Sequence, residues 1–370
     1  MKILYVTTIG STMNFFSLFI RSLLDNGHAV DIATNEVDRC VESCYRQWGC
    51  RVYPINTSRS PLNKGNLKAV KQIRNIVQLN QYDIVHCHTP IAAMCTRLAC
   101  RKIRKHGIRV FYTAHGFHFY KGAPLKNWLI YYPIEKICSR WTDVLITINQ
   151  EDYALAKKKL KAKQVEYVPG VGIDLKKFSE IAISKVDKRE ELGIPKNATL
   201  LLSVGELNKN KNHETVIRAI ADMDVYYIIA GKGELQDYLQ RLIDDLGLTD
   251  RVKLLGYRKD VSELCRAADI FVFPSYREGL SVSVMEAMAS GLPIVCSRIR
   301  GNTDLVEDQM GGCLCCPKDS DAFAGAVNKI AGNAELRQKM GEYNLEHIKK
   351  FGVSVVEEKM ETIYKLLVMR

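Results

Sequence analysis

The sequence predicts an α/β protein with two Rossmann-like domains, each built on a parallel sheet, that face each other across a cleft. Short apolar and β-branched runs alternate with helix-length segments along the chain, which is the pattern of repeated βαβ units. The alternation stops once, in a looser glycine-containing stretch from residue 169 to about residue 188, and then restarts. A length of 370 residues also agrees with two domains of ordinary size.

The predicted domains comprise residues 1–169 and 170–352. A last helical segment, about residues 353–370, is expected to pack back on the first domain. Ligands of open parallel sheets bind at the carboxyl ends of the strands, so we expect the active site between the domains. The predicted strands are residues 3–7, 30–33, 52–55, 84–86, 110–113, 144–148, 200–204, 225–230, 252–255, 270–273 and 294–296, and helices of the second domain are predicted to begin at Asn212, Glu234, Asp260, Ser281 and Ser320.

Composition excludes several classes of protein. Hydrophobic residues make up 47% and charged residues 25% of the chain, which is typical of a folded globular protein, and no apolar stretch is long enough to predict a transmembrane helix. The twelve cysteines are interpreted as reduced thiols of a cytoplasmic protein. Cys313 with Cys316, and the group His86, Cys87 and His88, lack the second matched pair of a structural zinc site. We therefore predict no metal ion, and we interpret both histidines as structural.

The basic residues are concentrated in the first half of the chain. Residues 1–180 contain 27 Lys and Arg against 13 Asp and Glu, whereas residues 181–370 contain 26 against 28. The first domain is therefore expected to face an anionic partner, such as a membrane surface, a lipid diphosphate or a nucleic acid. We favour the membrane over nucleic acid because none of the usual nucleic-acid-binding modules can be read in the sequence.

The most informative stretch is FPSYREGLSVSVMEAM, residues 273–288. It predicts a strand end, a turn and a helix with Ser281 as N-cap, so the backbone N–H groups from Gly279 onward suit a diphosphate. Glu278 and Glu286 are eight residues apart, which at ~1.5 Å per helical residue separates them by at most about 12 Å. Such a spacing fits a nucleotide sugar, with one carboxylate accepting hydrogen bonds from the sugar and the other from the ribose.

Cations for a departing diphosphate are expected after the strand at residues 200–204. The next segment, GELNKNKNHE, begins with Gly205 and places Lys209 or Lys211 just before a helix. A lysine in that position can stabilise a diphosphate leaving group without a metal ion. Gly231 marks a second glycine-bearing strand exit, and we expect it to line the same cleft.

His115 and His118 are the histidines that best fit sugar binding. They lie in YTAHGFHFYK, residues 112–121, a composition suited to stacking on a sugar ring and to hydrogen bonding. A buried structural histidine is an equally good interpretation of either residue taken alone. Gly10, in the loop after the first strand, is also expected to approach the cleft, although that loop has no dinucleotide fingerprint.

These motifs resemble the retaining glycosyltransferases of family 4, which have the two-domain GT-B fold. The likeness covers nearly the whole chain, from DIVHCH at residues 83–88 and TAHG at residues 113–116, through GELNKNKN, to PSYREGLSVSVMEAMASGLPIV at residues 274–295. The GELNKNKN and HGFHFYKG variants further resemble the bacterial capsule and exopolysaccharide branch of that family.

The resemblance implies a role for each matching residue. In many members an arginine that holds the diphosphate follows the glycine at the position of Gly205, but here that residue is Glu206. One expected cation is therefore missing, and another residue has to compensate for it. The predicted catalytic residues are Glu278 at the donor sugar, Lys211 at the diphosphate and His115 beside donor sugar and acceptor. The predicted donor site comprises Gly10, Gly205, Lys209, Lys211, Gly231, Glu278, Gly279, Leu280, Ser281 and Glu286, and the predicted acceptor site comprises His115 and His118.

The resemblance implies transfer of a hexosyl or N-acetylhexosaminyl group, with retention, from a nucleotide sugar, most simply a UDP-sugar. The acceptor would be a saccharide linked to a polyprenyl diphosphate, and no metal ion would be needed. The protein would be cytoplasmic and in peripheral contact with the inner face of the plasma membrane through its basic half. Two alternatives stay open, namely a UDP-sugar epimerase of the same fold and a non-catalytic basic protein that binds membranes or nucleic acid.

Overall fold

The computed structural model describes residues 1–37, 40–60 and 63–368, and these divide into two compact units. The first unit contains residues 1–172 and 353–368, and the second contains Ile173–Gly352. The predicted boundary, between residues 169 and 170, lies in the same glycine-containing segment as this division.

The first unit is built on a seven-stranded parallel sheet. Its strands are β1 Lys2–Val6, β2 Ala29–Thr34, β3 Val52–Pro54, β4 Ile84–His88, β5 Arg109–Ala114, β6 Val144–Thr147 and β7 Gln164–Tyr167. They pair in the order β3-β2-β1-β4-β5-β6-β7. The central strands read as nearly continuous apolar runs because both faces of the sheet are covered.

Helices cover the two faces of this sheet. They are α1 Ser17–Asp25, α2 Ser43–Gln47, α3 Gly65–Asn80, α4 Pro90–Cys100, α5 Leu125–Cys138 and α6 Gln150–Lys159, with 3₁₀ turns at Gly10–Phe16, Ile103–His106 and Ser139–Trp141. Alternate residues of β1 enter different cores, because side chains alternate across a strand. Leu4 and Val6 join the core with α3 and α4, whereas Ile3 and Tyr5 join the core on the α1 side.

The second unit repeats the architecture with a six-stranded parallel sheet. Its strands are β8 Leu200–Val204, β9 Tyr226–Ala230, β10 Val252–Gly256, β11 Ile270–Phe273, β12 Ile294–Ser297 and β13 Gly312–Cys315, in the order β10-β9-β8-β11-β12-β13. Its helices are α7 Lys176–Ser179, α8 Lys185–Glu191, α9 His213–Ala219, α10 Gln236–Asp245, α11 Val261–Ala267, α12 Val282–Ala289, α13 Asn302–Leu305, α14 Ser320–Ala331 and α15 Ala334–His347, followed by a 3₁₀ turn at Ile348–Phe351.

The C-terminal helix, α16 Val353–Val368, belongs to the first unit and packs against α1. Its Tyr364 is fully buried, with the hydroxyl 3.0 Å from the Tyr5 hydroxyl and 2.6 Å from Nδ1 of His86. The end of the chain thus completes the core beneath the centre of the first sheet. Among the described residues, no helix is long and apolar enough to cross a membrane.

The sequence does not predict the strands β7 and β13, and both lie at an edge of their sheet. Strand β7 reads QVEY, and each of its residues is only partly buried. Strand β13 reads GCLC and contains no β-branched residue. The partial burial of β7 leaves it without a clear apolar pattern, whereas β13 is buried at three of its four residues but has a glycine and none of the β-branched or aromatic residues enriched in strands.

The predicted loose linker from residue 169 to about residue 188 is wrong in its second half. Helices α7 and α8 form there, and Lys188 is only 2% exposed. Its ammonium donates to carboxylates of Glu191, Asp260 and Glu263 at 3.0 Å or less. This stretch suggests a linker because its sequence is rich in charged residues. In the structure, the buried Lys188 pairs with three carboxylates and so holds α8 within the second unit.

Candidate functional site

The second unit brings the predicted donor residues to neighbouring strand exits. Strands β8, β11 and β12 lie side by side and run parallel, so their carboxyl ends share one edge of the sheet. The segment after β8 carries Lys211, the turn after β11 carries Glu278, and α12 begins directly after that turn. The chemistry that the sequence predicts is concentrated at this edge.

An ion pair joins two of the predicted catalytic residues. Lys211 Nζ lies 2.9 Å from Glu278 Oε1, and the two side chains are 19% and 15% exposed. The ammonium also lies 4.6 Å from the centre of the Phe273 ring. Partial burial makes such a pair stronger than one at the open surface, so each side chain fixes the position of the other.

Two asparagines fasten the Lys211 segment to the turn after β11. The side-chain amide of Asn210 donates to the carbonyl of Arg277 at 3.0 Å. Asn212, which adopts a left-handed backbone conformation with φ of 56°, donates its side-chain amide to the carbonyl of Pro274 at 3.0 Å. Asn210 and Asn212 of the NKNKN segment therefore have a structural role, because their hydrogen bonds hold Lys211 next to Glu278.

The start of α12 is a capped helix terminus of the kind that can bind an anion. Ser281 is the N-cap, and its hydroxyl accepts from the N–H of Val284 at 3.4 Å. Gly279 and Leu280 stand directly before the cap, with the Leu280 side chain buried. The unsatisfied N–H groups of a helix start carry partial positive charge, which favours phosphate.

Close packing requires the glycine at the exit of β9 and leaves little room beside the glycine at the exit of β8. A Cβ atom on Gly231 would lie 1.8 Å from the carbonyl oxygen of Gly205, so a side chain cannot be accommodated there. A Cβ on Gly205 would lie 3.2 Å from the Lys211 side chain. This packing accounts for Gly231 independently of any ligand. Lys209 and Glu206 are both exposed in the same segment.

Glu286 lies one turn inside α12 and is partly buried. Burial raises the pKa of its carboxyl to about 7, and the nearby charge of Lys177 opposes this shift. The predicted ribose-binding carboxylate thus changes its ionisation close to neutral pH.

In the first unit, the predicted residue His115 contacts His88. The Nε2 atom of His115 lies 3.2 Å from the Nδ1 atom of His88. Burial lowers the pKa of His115 to about 4, and burial together with His86 and His115 lowers that of His88 further below its ordinary value. Both rings are therefore neutral at pH 7, and one hydrogen bond between them fixes their tautomers relative to each other.

His86 has the structural role that the sequence predicts. Its ring nitrogens meet the Thr113 hydroxyl at 2.8 Å and the Tyr364 hydroxyl at 2.6 Å. Burial lowers its pKa to about 3. The interpretation of His88 as merely structural is incomplete, since His88 is the neighbour that orients His115.

His118 packs against α5 rather than against His115. Its ring stacks on Tyr131 with centroids 4.5 Å apart, and its carbonyl accepts from the Asn127 side chain at 2.9 Å. The buried carboxylate of Asp152 accepts from the N–H of Phe117 at 3.0 Å and so holds the intervening loop. His118 lies with Tyr131, Ile91 and Thr89 along one hollow of the first unit.

Gly10 is buried at the start of the 3₁₀ turn that follows β1. Its N–H donates to the carbonyl of Asn35 at 2.9 Å, so this amide is already engaged within the first unit.

The cysteines are free thiols in the structure, and most are buried. Cys313 is buried and Cys316 exposed. In the part of the chain that the structure describes, no group of three His, Cys, Asp or Glu side chains is placed to hold a metal ion.

Some residues around the site are not identified from the sequence alone. His88 and His86 alternate on one strand, so a period of two could have placed both rings on the face that leads to His115; their centroids lie 4.2 Å apart. Asn210 carries no such signal, because its contact with the Arg277 carbonyl joins segments far apart in the chain.

Family models match both units. A model for group 1 glycosyl transferases matches residues 184–347, and a model for glycosyltransferase family 4 matches residues 15–177. EpsD of Bacillus subtilis (strain 168) is 35% identical over 371 residues, covering 98% of this chain and 96% of EpsD. The UDP-Gal:α-D-GlcNAc-diphosphoundecaprenol α-1,3-galactosyltransferase of Escherichia coli is 29% identical over 317 residues, covering 81% of each protein.

Solved structures share the fold. HepE of Anabaena in complex with UDP superposes with a TM-score of 0.81 at 21% identity, over 99% of this chain and 100% of HepE. The sucrose-phosphate synthase of Thermosynechococcus elongatus gives a TM-score of 0.83 at 20% identity, over 99% of each chain. Together with the family models, these likenesses identify two Rossmann-like domains of the GT-B class. The chain belongs to glycosyltransferase family 4 and is a hexosyltransferase.

Proposed function

We propose that this enzyme transfers a hexosyl or N-acetylhexosaminyl group from a UDP-sugar to a lipid-linked saccharide, with retention, in the biosynthesis of a surface polysaccharide. The observation that carries the proposal is the Lys211–Glu278 ion pair beside the start of α12. The name of the E. coli relative supports the donor and the acceptor, because that protein uses UDP-Gal and a diphosphoundecaprenol-linked sugar.

The donor would lie along the carboxyl edge of the second sheet. Its diphosphate would meet Lys211 and the N–H groups at Gly279 and Leu280, where positive charge is concentrated. The carboxylate of Glu278 would accept hydrogen bonds from the sugar hydroxyls and that of Glu286 from the ribose hydroxyls. Two carboxylates at the two ends of a diphosphate thereby bind neutral hydroxyls and do not oppose its negative charge.

The reaction follows from this placement of charge. The bond between the anomeric carbon and the diphosphate oxygen breaks, and the acceptor hydroxyl forms a new bond to the same face of that carbon. The departing diphosphate takes the proton of the hydroxyl, so no further base is needed. Lys211 and the start of α12 stabilise the negative charge on the leaving group. We propose that this arrangement works without a metal ion, so that activity persists in excess EDTA.

The first unit would bind the acceptor through His115 and His118. The neutral state of His115 allows its ring to exchange hydrogen bonds with a hydroxyl group without adding charge to the site. His88 contacts Nε2 of the His115 ring. The other ring nitrogen, Nδ1, therefore remains for the acceptor. His118 stacked on Tyr131 offers an aromatic surface of the kind that binds sugars.

Contact with an anionic membrane belongs to the same proposal and rests on α5. Five large apolar side chains of this helix are exposed, between 36% and 73%: Leu125, Leu129, Ile130, Ile134 and Ile137. At 100° per residue, Leu129, Ile130, Ile134 and Ile137 lie within an arc of about 140° around the helix axis, and Leu125 lies about 40° beyond that arc in the first turn. An exposed apolar helix face of this size is characteristic of an interaction surface.

The charges around this face favour an anionic lipid surface. Lys126 and Arg140 are exposed on the same side of α5 or just beyond its end. Glu135, the acidic residue of the helix, is buried and accepts a bidentate hydrogen bond from Arg97. The exposed face therefore carries apolar and cationic groups, the combination that binds the interface of anionic bilayers.

A panel of donors tests the proposed function. Purified protein is incubated with UDP- and GDP-sugars, with and without a lipid extract, and released nucleotide and the fate of the sugar are measured. We expect UDP release that depends on the extract and a lipid product with the anomeric configuration of the donor. Conversion of the sugar without an acceptor would identify an epimerase, and binding of no nucleotide would contradict the proposed donor site.

A further inference from the structure

A groove crosses the first unit from α5 to the carboxyl ends of β1 and β4. It consists of two hollows, one between α4 and α5 and the other at the strand ends. The hollows share Pro90, Ile91, His118 and Tyr131, so the groove is continuous. Its cavity volume is about 40 Å³ between the helices and about 280 Å³ at the strand ends. The groove therefore has a narrow end and a wide end.

The narrow end is apolar and opens on the exposed face of α5. It is lined by Met94 of α4 and by Ile130 and Ile134 of α5, and the two isoleucines are 52% and 36% exposed. The side chains of Arg97 and Glu135 also line it, almost fully buried as an ion pair. Because the two charges compensate each other, the pair adds no net charge to this end. A hydrocarbon chain placed here would bury apolar area that is otherwise exposed.

The wide end lies where the strand order of the first sheet reverses. The chain proceeds outward from β1 to β3 on one side and from β4 to β7 on the other, with β1 and β4 as neighbours. Ligands of open parallel sheets bind at the strand ends of such a switch point. The segments that leave β1 and β4 meet there, with the hydroxyl oxygens of Thr8 and Thr89 2.6 Å apart. Thr12 and Arg59 also line this end.

Arg59 gives the wide end a positive charge. The residue is exposed, and within residues 1–37, 40–60 and 63–368 no carboxylate pairs with its guanidinium. None of the described residues that line the wide end is Asp or Glu. A guanidinium beside hydroxyl groups suits a phosphate, which accepts hydrogen bonds from both. The groove thus joins an apolar slot to a site for an anion.

We propose that this groove binds a prenyl diphosphate, with the hydrocarbon chain between α4 and α5 and the diphosphate at Arg59 and the Thr8–Thr89 pair. A chain that leaves the narrow end emerges at the exposed apolar face of α5, where it would continue into the membrane. The inference rests on the proposed function and assigns a site in the first unit to the lipid part of the acceptor.

The test compares three small ligands of the purified protein. Farnesyl diphosphate has the chain and the diphosphate, isopentenyl diphosphate has the same diphosphate on a single isoprene unit, and farnesol has the chain alone. Affinities are measured calorimetrically, so neither a nucleotide sugar nor a saccharide acceptor is needed. We expect farnesyl diphosphate to bind at least about tenfold more tightly than either of the others, because it alone occupies both ends.

Met94→Gln tests the narrow end, because it keeps an unbranched side chain of similar length but adds a polar amide. We expect it to weaken farnesyl diphosphate at least about fivefold and isopentenyl diphosphate hardly at all. Ile130→Ser changes an exposed position of the same end and repeats the test if Met94→Gln lowers the melting temperature. Leu98→Gln is the control, since Leu98 is partly buried one turn further along α4 and lies outside the groove lining.

Arg59→Gln tests the wide end. It should weaken both diphosphates by a similar factor, about fivefold, and leave farnesol unchanged, because the lost charge faces the diphosphate. Lys158→Gln removes an exposed cation of α6 in the same unit and should affect none of the three ligands.

Three results would overturn the inference. They are equal affinities for farnesyl and isopentenyl diphosphate, farnesol binding as tightly as farnesyl diphosphate, and equal losses in Met94→Gln and Leu98→Gln. Each of them leaves the donor panel of the proposed function unaffected. A donor panel without UDP release would instead contradict the transferase, while the measured affinities for prenyl diphosphates would stand.

Discussion

Glu286 belongs to the proposed donor site, and its charge responds to pH near neutrality. Its pKa is raised by burial to about 7, so its ionised fraction grows as the pH rises through that value. Ribose hydroxyls donate to a carboxylate more strongly than to a carboxylic acid. We expect the KM for the donor to fall as the pH increases from about 6 to about 8.

The variant Glu286→Gln isolates this effect. It keeps an acceptor oxygen but cannot ionise, so its donor KM should lose the part of the pH dependence that belongs to Glu286. The phosphate groups of the donor titrate equally in both proteins and cancel in the comparison. Parallel pH profiles for the two proteins would contradict the assignment.

The histidines His86 and His115 of the first unit predict a loss of stability in acid. The folded pKa is about 3 for His86 and about 4 for His115, against an ordinary value of 6.5. Below pH 6.5 the unfolded chain binds protons that the folded unit does not, so unfolding becomes easier as the pH falls. The loss reaches about 1.4 kcal/mol per pH unit for each such group.

Urea unfolding at several pH values between about 7.5 and 4.5 measures this loss. We expect His115→Asn to depend less steeply on pH than the wild type in the range between the folded and unfolded pKa values. His106, which is exposed, supplies the control variant His106→Asn. A control that flattens the profile as much as His115→Asn would exclude burial as the cause.

At the scale of single residues, the position of a residue in the fold is predictable where one local sequence pattern determines it. The strand, turn and helix pattern places Glu278, Ser281 and Glu286, because strand exits and N-caps have their own sequence signals. It leaves the choice between Lys209 and Lys211 open, and in the structure Lys211 is the lysine that pairs with Glu278. The role of Asn210 is not predictable from the sequence, because its side chain donates to the backbone carbonyl of Arg277 at another strand exit.

Among the elements, α5 supports the most direct test of membrane contact. Leu129 and Ile137 are exposed on its apolar face, so replacing both by serine should leave the core undisturbed. We expect Leu129→Ser/Ile137→Ser to bind anionic phospholipid vesicles at least about tenfold more weakly, because each lost side chain removes apolar area from the interface. Vesicle sedimentation measures the binding.

Leu79 is the matched control for this experiment. It is 81% exposed but lies on a different helix, α3. Leu79→Ser should bind like the wild type, and vesicles of neutral lipid should bind both proteins more weakly than anionic ones. Equal losses in both variants, or binding to anionic vesicles unaffected by the α5 changes, would show that α5 is not the docking element.

Element prediction is most secure for the central strands. Central strands such as β1 and β8 are covered on both faces and read as continuous apolar runs, so their sequences identify them. The edge strands β7 and β13 and the helix α8 depend on partners distant in the chain. Lys188 is an example. A lysine is ordinarily predicted to be exposed, whereas this side chain is buried.

At the scale of the whole molecule, two observations from the sequence agree with the structure. The repeated alternation predicts two parallel sheets, and both are present with the order of a doubly wound fold. The fold is predictable because parallel pairing requires a crossover helix after each strand. The residues proposed to bind the donor, Lys211, Glu278 and Glu286, also all belong to one unit, Ile173–Gly352.

The central claim is that the Lys211–Glu278 pair is the core of a donor site in a transferase. The most direct measurement is acceptor-dependent UDP release by the wild type, Lys211→Ala and the control Lys339→Ala, using the donor identified in the panel. Lys339 is exposed on α15 and pairs with Glu335. We predict that Lys211→Ala loses about a hundredfold or more in kcat and that Lys339→Ala matches the wild type. Full activity in a folded Lys211→Ala protein would contradict the account.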